Sequence, residues 1–255
     1  RRSSDLVSQG ADAVIQSLHK TLPSLTQTGL LHICSSRIGT REIQQALSTF
    51  QSSSPSYILM ASIDYCVRKC ADRPDLFDDY VQNLMDIRAR LKHMRNLKLL
   101  RTDDPGKIVV LTGDTKITGK ELFRILRSEY GIELEMSEIS YVTAMTSICD
   151  TKEALGKLCE AFLETDESLY HVPNPGQAVI PAAEQVMTPY EAKIRGRKLV
   201  SPYEAVGELS AEFIFLYPPG IPLAVPGERI SEEIVQKMKE YREQKMNLIG
   251  LSEGR

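Results

Sequence analysis

The run Asp103-Asp104-Pro105-Gly106 divides the chain more sharply than any other feature. The ring of Pro105 disfavours a helical conformation at Asp104, and Gly106 suits a turn, so no helix crosses this point. Ahead of it, Leu76, Phe77, Tyr80, Leu84, Ile87, Leu91 and Met94 recur at helical spacing, which predicts one amphipathic helix from about Pro74 to Leu97. Behind it the period changes. Lys107 to Thr112 is rich in β-branched residues and reads as a strand, and Thr118 offers a cap for a helix over Gly119 to Tyr130, closed by Gly131. Strands at Ile132 to Met136 and Tyr141 to Ser147 and a helix from Thr151 to Leu163 follow. This strand–helix–strand–strand–helix order predicts a small α+β domain over 105–170.

The first hundred residues read differently. Ala11 to Ser17 and Leu30 to Cys34 are short apolar runs bounded by turn residues, hence strands. Thr40 is the expected cap of a helix over Glu42 to Phe50, which Gln51-Ser52-Ser53-Ser54-Pro55 breaks before a second helix over Tyr57 to Ala71. After a connector at His171 to Pro181 come the segment Val186 to Ala192, a basic loop at Lys193 to Lys198 and a helix start at Ser201-Pro202. Ser231 caps a final helix over Glu232 to Gln244, and Gly250 to Arg255 reads as a tail. The expected division is 1–104, 105–170 and 171–255.

Composition excludes several classes. A net charge of −3 gives no general attraction to nucleic acid or an anionic membrane surface. No apolar run approaches the ~20 residues of a membrane-spanning helix, and no apolar segment follows Arg1-Arg2 as a signal peptide requires. The five cysteines form no CxxC pair; Cys66 and Cys70 lie one helical turn apart without a second pair, so buried thiols in a reducing compartment are expected rather than a metal site. The expectation is a cytoplasmic protein.

Ser17-Leu18-His19-Lys20 lies between the first two strands. A lysine there can form a Schiff base when its amine is deprotonated, and a neighbouring hydroxyl and imidazole can hydrogen-bond a phosphate. On spacing alone, Lys20 reads equally as a solvated loop lysine.

Four ordered blocks add to this. Ser17-Leu18-His19-Lys20-Thr21-Leu22-Pro23, with Leu25-Thr26-Gln27-Thr28 and Leu31-His32, resembles the cofactor-lysine segment of the ornithine/lysine/arginine decarboxylases. Gln51 to Tyr57 with Ala61-Ser62-Ile63-Asp64 resembles the segment downstream of that lysine, and Gly119 to Glu135 resembles the family's small domain. Tyr217-Pro218-Pro219-Gly220-Ile221-Pro222 with Pro226-Gly227-Glu228 resembles its C-terminal domain. The resemblance implies an α/β fold: the latter part of a pyridoxal-phosphate transferase large domain, a small α+β domain, and a C-terminal decarboxylase-type domain. It implies pyridoxal 5'-phosphate as cofactor, with Lys20 bonded to it, Ser17 and His19 on its phosphate, and Ser52 and Ser54 reaching the phosphate across a dimer interface. Those serines read otherwise as a helix stop and cap. A basic substrate needs a carboxylate for its distal cation; Glu212 is the candidate, and reads otherwise as a solvated glutamate.

The resemblance also implies an acidic partner for the pyridine nitrogen, a ring-stacking side chain and further phosphate ligands, all ahead of the lysine. Sixteen residues precede Ser17, and neither Asp5 nor Asp12 sits in such a motif. The expectation is decarboxylation of arginine, lysine or ornithine, as in polyamine metabolism, by an oligomer in which a separate N-terminal chain or a paralogous subunit completes the site. The alternative is a non-catalytic remnant or regulatory subunit paired with a complete paralogue. Another pyridoxal-phosphate reaction such as transamination fits the C-terminal blocks less well.

Overall fold

The computed structural model describes residues 3–172, 181–217, 220–244 and 246–251. Most of the connector at His171 to Pro181, Pro218 and Pro219 of the Tyr217 turn, and Ser252 to Arg255 of the tail lie outside the described residues. The chain divides into two compact units, Arg1–Asn174 and Pro175–Arg255.

The first unit opens with α1 (Ser3–Ser8) and a hairpin-like pair of strands, β1 (Ala13–Ser17) and β2 (Gly29–Ile33), with α2 (Leu18–Thr21) between them. Ala13 pairs with Ile33 and Ser17 with Gly29, antiparallel. Every strand pairing among the described residues is antiparallel. Next come α3 (Thr40–Phe50), α4 (Tyr57–Asp72) and α5 (Asp75–Leu91). Thr40 is the first residue of α3 rather than its cap, a position taken by Gly39, so α3 lacks a side-chain cap. Ser56 caps α4 by accepting from the Leu59 amide at 3.4 Å.

Helix α5 ends at Leu91, about a turn and a half before the expected Leu97, and the cause is Asp166. Its buried carboxylate accepts from the amides of Arg95, Asn96 and Leu97 at 2.7–2.8 Å. Those amides cannot also serve a helix. The Asn96 side chain adds bonds to the carbonyls of Asp166 and Leu169. The chain is thereby turned into β3 (Lys98–Leu99), followed by β4 (Lys107–Leu111), α6 (Gly119–Tyr130), β5 (Met136–Ser137), β6 (Tyr141–Met145) and α7 (Lys152–Ser168).

The four strands form one antiparallel sheet in the order β3-β4-β6-β5. Leu84, Ile87 and Leu91 of α5, Leu122 and Leu126 of α6, and Phe162 of α7 join Ile108, Val110 and Val142 of the sheet in one core. This core thus draws on residues from both sides of the Asp103–Gly106 turn. Thr118 and Glu121 make a reciprocal capping box at the start of α6, and Gly131 closes it at φ 65°. Gly119 is a close-approach position: a Cβ there would sit 2.2 Å from the carbonyl oxygens of Glu138 and Tyr141. The expected strand over Ile132 to Met136 forms only at Met136–Ser137, because Ile132 is spent closing α6 through a bond from its amide to the Leu126 carbonyl. Thr151 caps α7, which runs to Ser168, a turn beyond the expected Leu163.

The second unit contains β7 (Glu184–Gln185), α8 (Pro189–Ile194), β8 (Ile214–Leu216), β9 (Ile221–Ala224), β10 (Glu228–Arg229), α9 (Glu232–Glu243) and β11 (Leu248–Ile249). Its strands pair as β11-β8-β9 and β10-β7. The expected helix at Ser201-Pro202 is a single tight 3-10 turn, Pro202–Glu204. Thr188 opens α8 with a second capping box, and the helix begins within the segment Val186 to Ala192. Val225-Pro226-Gly227-Glu228 is a turn whose own carboxylate closes it, the Val225 amide donating to Glu228 Oε2 at 2.8 Å. Gly227, at φ 92°, lies where a Cβ would meet the Met187 carbonyl at 2.2 Å.

Cys66 and Cys159 are buried, Cys34 and Cys70 partly so, and Cys149 is exposed. No group of His, Cys, Asp or Glu among the described residues could hold a metal ion. Replacing Asp166 with Ala should lower unfolding stability by roughly 2–4 kcal/mol, read from denaturant curves, because three amides lose one charged acceptor. Burial, reinforced by Cys70, pushes the Cys66 thiol up to about 11. The folded state then favours the protonated thiol, so its contribution is intact below pH 9 and falls as pH rises from 9 through 11. Stability should drop by about 2 kcal/mol across that window. The Cys66→Ala protein should lack that component when chemical denaturation is repeated at each pH.

Candidate active site

The candidate residues of the first unit sit on two loops. Ser17 ends β1 and occupies the cap position of α2, and its side chain makes no capping bond. His19 and Lys20 lie on α2, a single turn held at one end by the Leu22 amide donating to the Leu18 carbonyl at 2.9 Å. Burial of Leu18 anchors that turn.

Thr28 organises the loop. It is buried, and its carbonyl receives both the Leu18 amide at 3.2 Å and Nδ1 of His19 at 2.9 Å. A carbonyl only accepts, so Nδ1 carries the proton. In neutral His19, Nε2 is then an acceptor, and it becomes a donor toward an anion only when the ring is doubly protonated. The Thr28 hydroxyl donates toward Ser24 Oγ and the Leu25 carbonyl, each at 2.7 Å. Ser62 of α4 ties this loop down by accepting from the Leu25 amide at 2.8 Å and lying 3.2 Å from Ser24 Oγ. Gln27 adopts φ 76°, a left-handed conformation uncommon for a residue with a side chain. None of this wiring through Thr28 and Ser62 is visible as a chemical signal in the sequence, since hydroxyl residues on loops are ordinary.

Lys20 is exposed, and its Nζ meets Glu135 Oε1 at 2.7 Å. Glu135 stands next to β5, its amide bonded to the Thr143 carbonyl at 3.0 Å. Sequence reasoning did not single out this carboxylate, because 115 residues separate it from Lys20 and no local pattern marks the pair.

Ser52 and Ser54 form their own exposed turn: the Ser54 amide donates to Ser52 Oγ at 3.2 Å. Asp12, considered for the ring nitrogen, is committed to Arg37 at 3.3 Å and to the Ser35 hydroxyl at 2.5 Å. In the second unit, Glu212 is exposed in a bend just before β8, where its carbonyl accepts from Ser210 Oγ at 2.6 Å.

The donor set around Lys20 suits two ends of pyridoxal phosphate. A primary amine matches the aldehyde, and a hydroxyl with an imidazole matches the phosphate. The carboxylate that reaches this loop from beside β5, that of Glu135, is engaged by the amine.

Residues 4–135 match the family described as "Orn/Lys/Arg decarboxylase, major domain", and 176–253 match its C-terminal domain. An uncharacterized protein of Bacillus subtilis, YaaO, is 33% identical over 261 residues, covering 94% of this chain and 52% of its own length. An arginine decarboxylase of Bacillus anthracis is 28% identical over 249 residues, with 92% and 50% covered. The constitutive lysine decarboxylase structure of Escherichia coli superposes with a TM-score of 0.73 at 18% identity, over 93% of this chain and 47% of that one. The lysine decarboxylase of Francisella novicida gives 0.72 at 18% identity, over 92% and 46%. The chain spans about half the length of the curated relatives it matches. The mixed α/β fold is therefore that of the lysine decarboxylases, and the chain belongs to the ornithine/lysine/arginine decarboxylase family.

Proposed function

We propose that this chain supplies the cofactor lysine and the C-terminal domain of a pyridoxal-phosphate-dependent decarboxylase of basic amino acids. The observation that carries the reading is the α2 loop, where an exposed amine, a free-standing hydroxyl and an oriented imidazole fall within four residues in a chain of this family. Lys20 would hold the aldehyde end of the cofactor, and Ser17 and His19 the phosphate. The bound cofactor supplies an electron sink for the charge left when carbon dioxide departs. The chain's own task is to orient. The Thr28 carbonyl fixes the tautomer of His19, so that protonation of Nε2 decides whether the ring donates to an anion.

Ser52 and Ser54 would serve the phosphate of a neighbouring subunit, and Glu212 would receive the distal cation of the substrate. Arginine, lysine and ornithine all satisfy that chemistry, and arginine and lysine are the substrates named among the relatives. The rest of the major domain, in the same polypeptide or in another, would bring the partner of the ring nitrogen. Apolar exposure supports such a complement: Ile15 of β1, Phe50 of α3 and Tyr57 and Ile58 of α4 are 82%, 88%, 79% and 73% exposed. Soluble monomers seldom leave so many large apolar side chains in water, and an obligate, apolar interface is the natural cover.

The test uses the chain isolated with whatever accompanies it. Borohydride reduction should leave a pyridoxyl group on Lys20, the Lys20→Ala protein should lose both the label and the visible imine band, and decarboxylation of a basic amino acid should disappear with them. A native preparation that carries no label on Lys20 and decarboxylates none of the three amino acids would overturn the reading in favour of a non-catalytic paired subunit.

A further inference from the structure

We propose that Glu135 is a positioning residue for Lys20, holding the lysine amine at the loop whenever that amine is not covalently engaged. The inference rests on the reading of Lys20 as the cofactor lysine and adds to it a residue from the distant sheet. Lysine is long and loses much rotamer freedom when fixed, so an exposed lysine on a single helical turn has no intrinsic reason to keep one direction. Here its nitrogen sits 2.7 Å from a carboxylate oxygen, with the lysine side chain 48% and the glutamate side chain 35% exposed.

The carboxylate is the better anchored of the two. The Glu135 amide bonds to the Thr143 carbonyl, Leu134 before it is buried, and Met136 after it pairs with Thr143 in the sheet. Glu133, two residues earlier, is turned to Arg127 instead, at 3.0 Å. The sheet thus presents one carboxylate to the α2 loop from a fixed backbone.

The chemistry gives this contact a direction. Bonding to an aldehyde needs the neutral amine: nitrogen attacks the carbonyl carbon, a carbon–nitrogen double bond forms, and one water leaves. The contact with Glu135 holds the nitrogen away from an incoming aldehyde, so it must open, and an ammonium must pass a proton to solvent, before attack. Conversely, an amine displaced from the cofactor by a substrate amine finds a partner where it was released, rather than drifting into water. Glu135 therefore slows first capture of the aldehyde and keeps the released lysine in place.

Trapping kinetics on the full chain test this. Pyridoxal 5'-phosphate is added, samples are quenched with borohydride, which adds hydride to the imine carbon, and labelling of Lys20 is measured by peptide mass spectrometry relative to exposed Lys157. The expected result is that Glu135→Gln raises the relative rate at Lys20 about two- to fivefold, the scale set by an exposed ion pair. In the unaltered chain the relative rate should rise with added salt, which screens the pair, and in Glu135→Gln it should not. Glu133→Gln should behave as the unaltered chain in both respects. The salt response of the unaltered chain decides the matter even if Glu135→Gln folds poorly.

A parallel series with an N-hydroxysuccinimide acetate, which acylates any free amine, separates the two readings. Selective trapping of Lys20 by the aldehyde at one rate in all three proteins, without a salt response, overturns the positioning role and leaves the cofactor lysine standing. Acetylation that accelerates in Glu135→Gln, with no preference of the aldehyde for Lys20, keeps the positioning role and removes the cofactor reading. No change in either series overturns both.

Discussion

Asp166 turns a long helix into a sheet. Its carboxylate sits near the end of α7 and takes the three amides that would otherwise carry α5 onward, so the chain leaves the helix at Leu91 and enters the sheet at Lys98. The chain so released enters β3, an edge strand of the sheet β3-β4-β6-β5. Helices α5 and α7 pack together, and the core that joins them to the sheet excludes water from Phe162, Leu91 and Val110. A buried carboxylate with three amide donors is a strong local constraint, because losing it strands several polar groups at once.

The sheet so formed carries the functional argument. Its outer strand β5 holds Glu135 against β6 by backbone bonding, and Glu135 reaches the lysine on α2. The α2 loop is held from its other side by hydroxyl bonding through Thr28, Ser24 and Ser62. Lys20 therefore lies where two rigid elements, α4 and the four-stranded sheet, meet through one short turn. This is how a single-turn helix, with almost no stability of its own, can hold a lysine side chain in one direction.

Resemblance and periodicity read different parts of the chain well. The capping threonines at 118 and 151, the serine at 231 and the closing Gly131 stood in the sequence because their chemistry is local, and the helices begin or end at them. Ser17, His19 and Lys20 stood out only through the motif around them. The geometry brings these three together on one loop. It leaves Ser52 and Ser54 in an exposed turn and Glu212 in a bend of the second unit. The expected reach of α5 to Leu97 and of a strand from Ile132 were read from apolar spacing, which cannot register that Asp166 and Leu126 claim those amides from elsewhere.

By itself the sequence determined the family, through blocks of residues in order along the chain, the Ser17–Lys20 motif, and the caps and turns that punctuate the elements, since each block, cap or turn depends on residues within a few positions of one another. Tertiary structure alone decided the antiparallel pairing of β1 with β2, the early end of α5, the fixing of His19 by Thr28 and the pairing of Lys20 with Glu135. The physical reason is the same in each case. A hydrogen bond or ion pair between groups far apart in the chain depends on the path of the backbone between them, and no local pattern encodes that path.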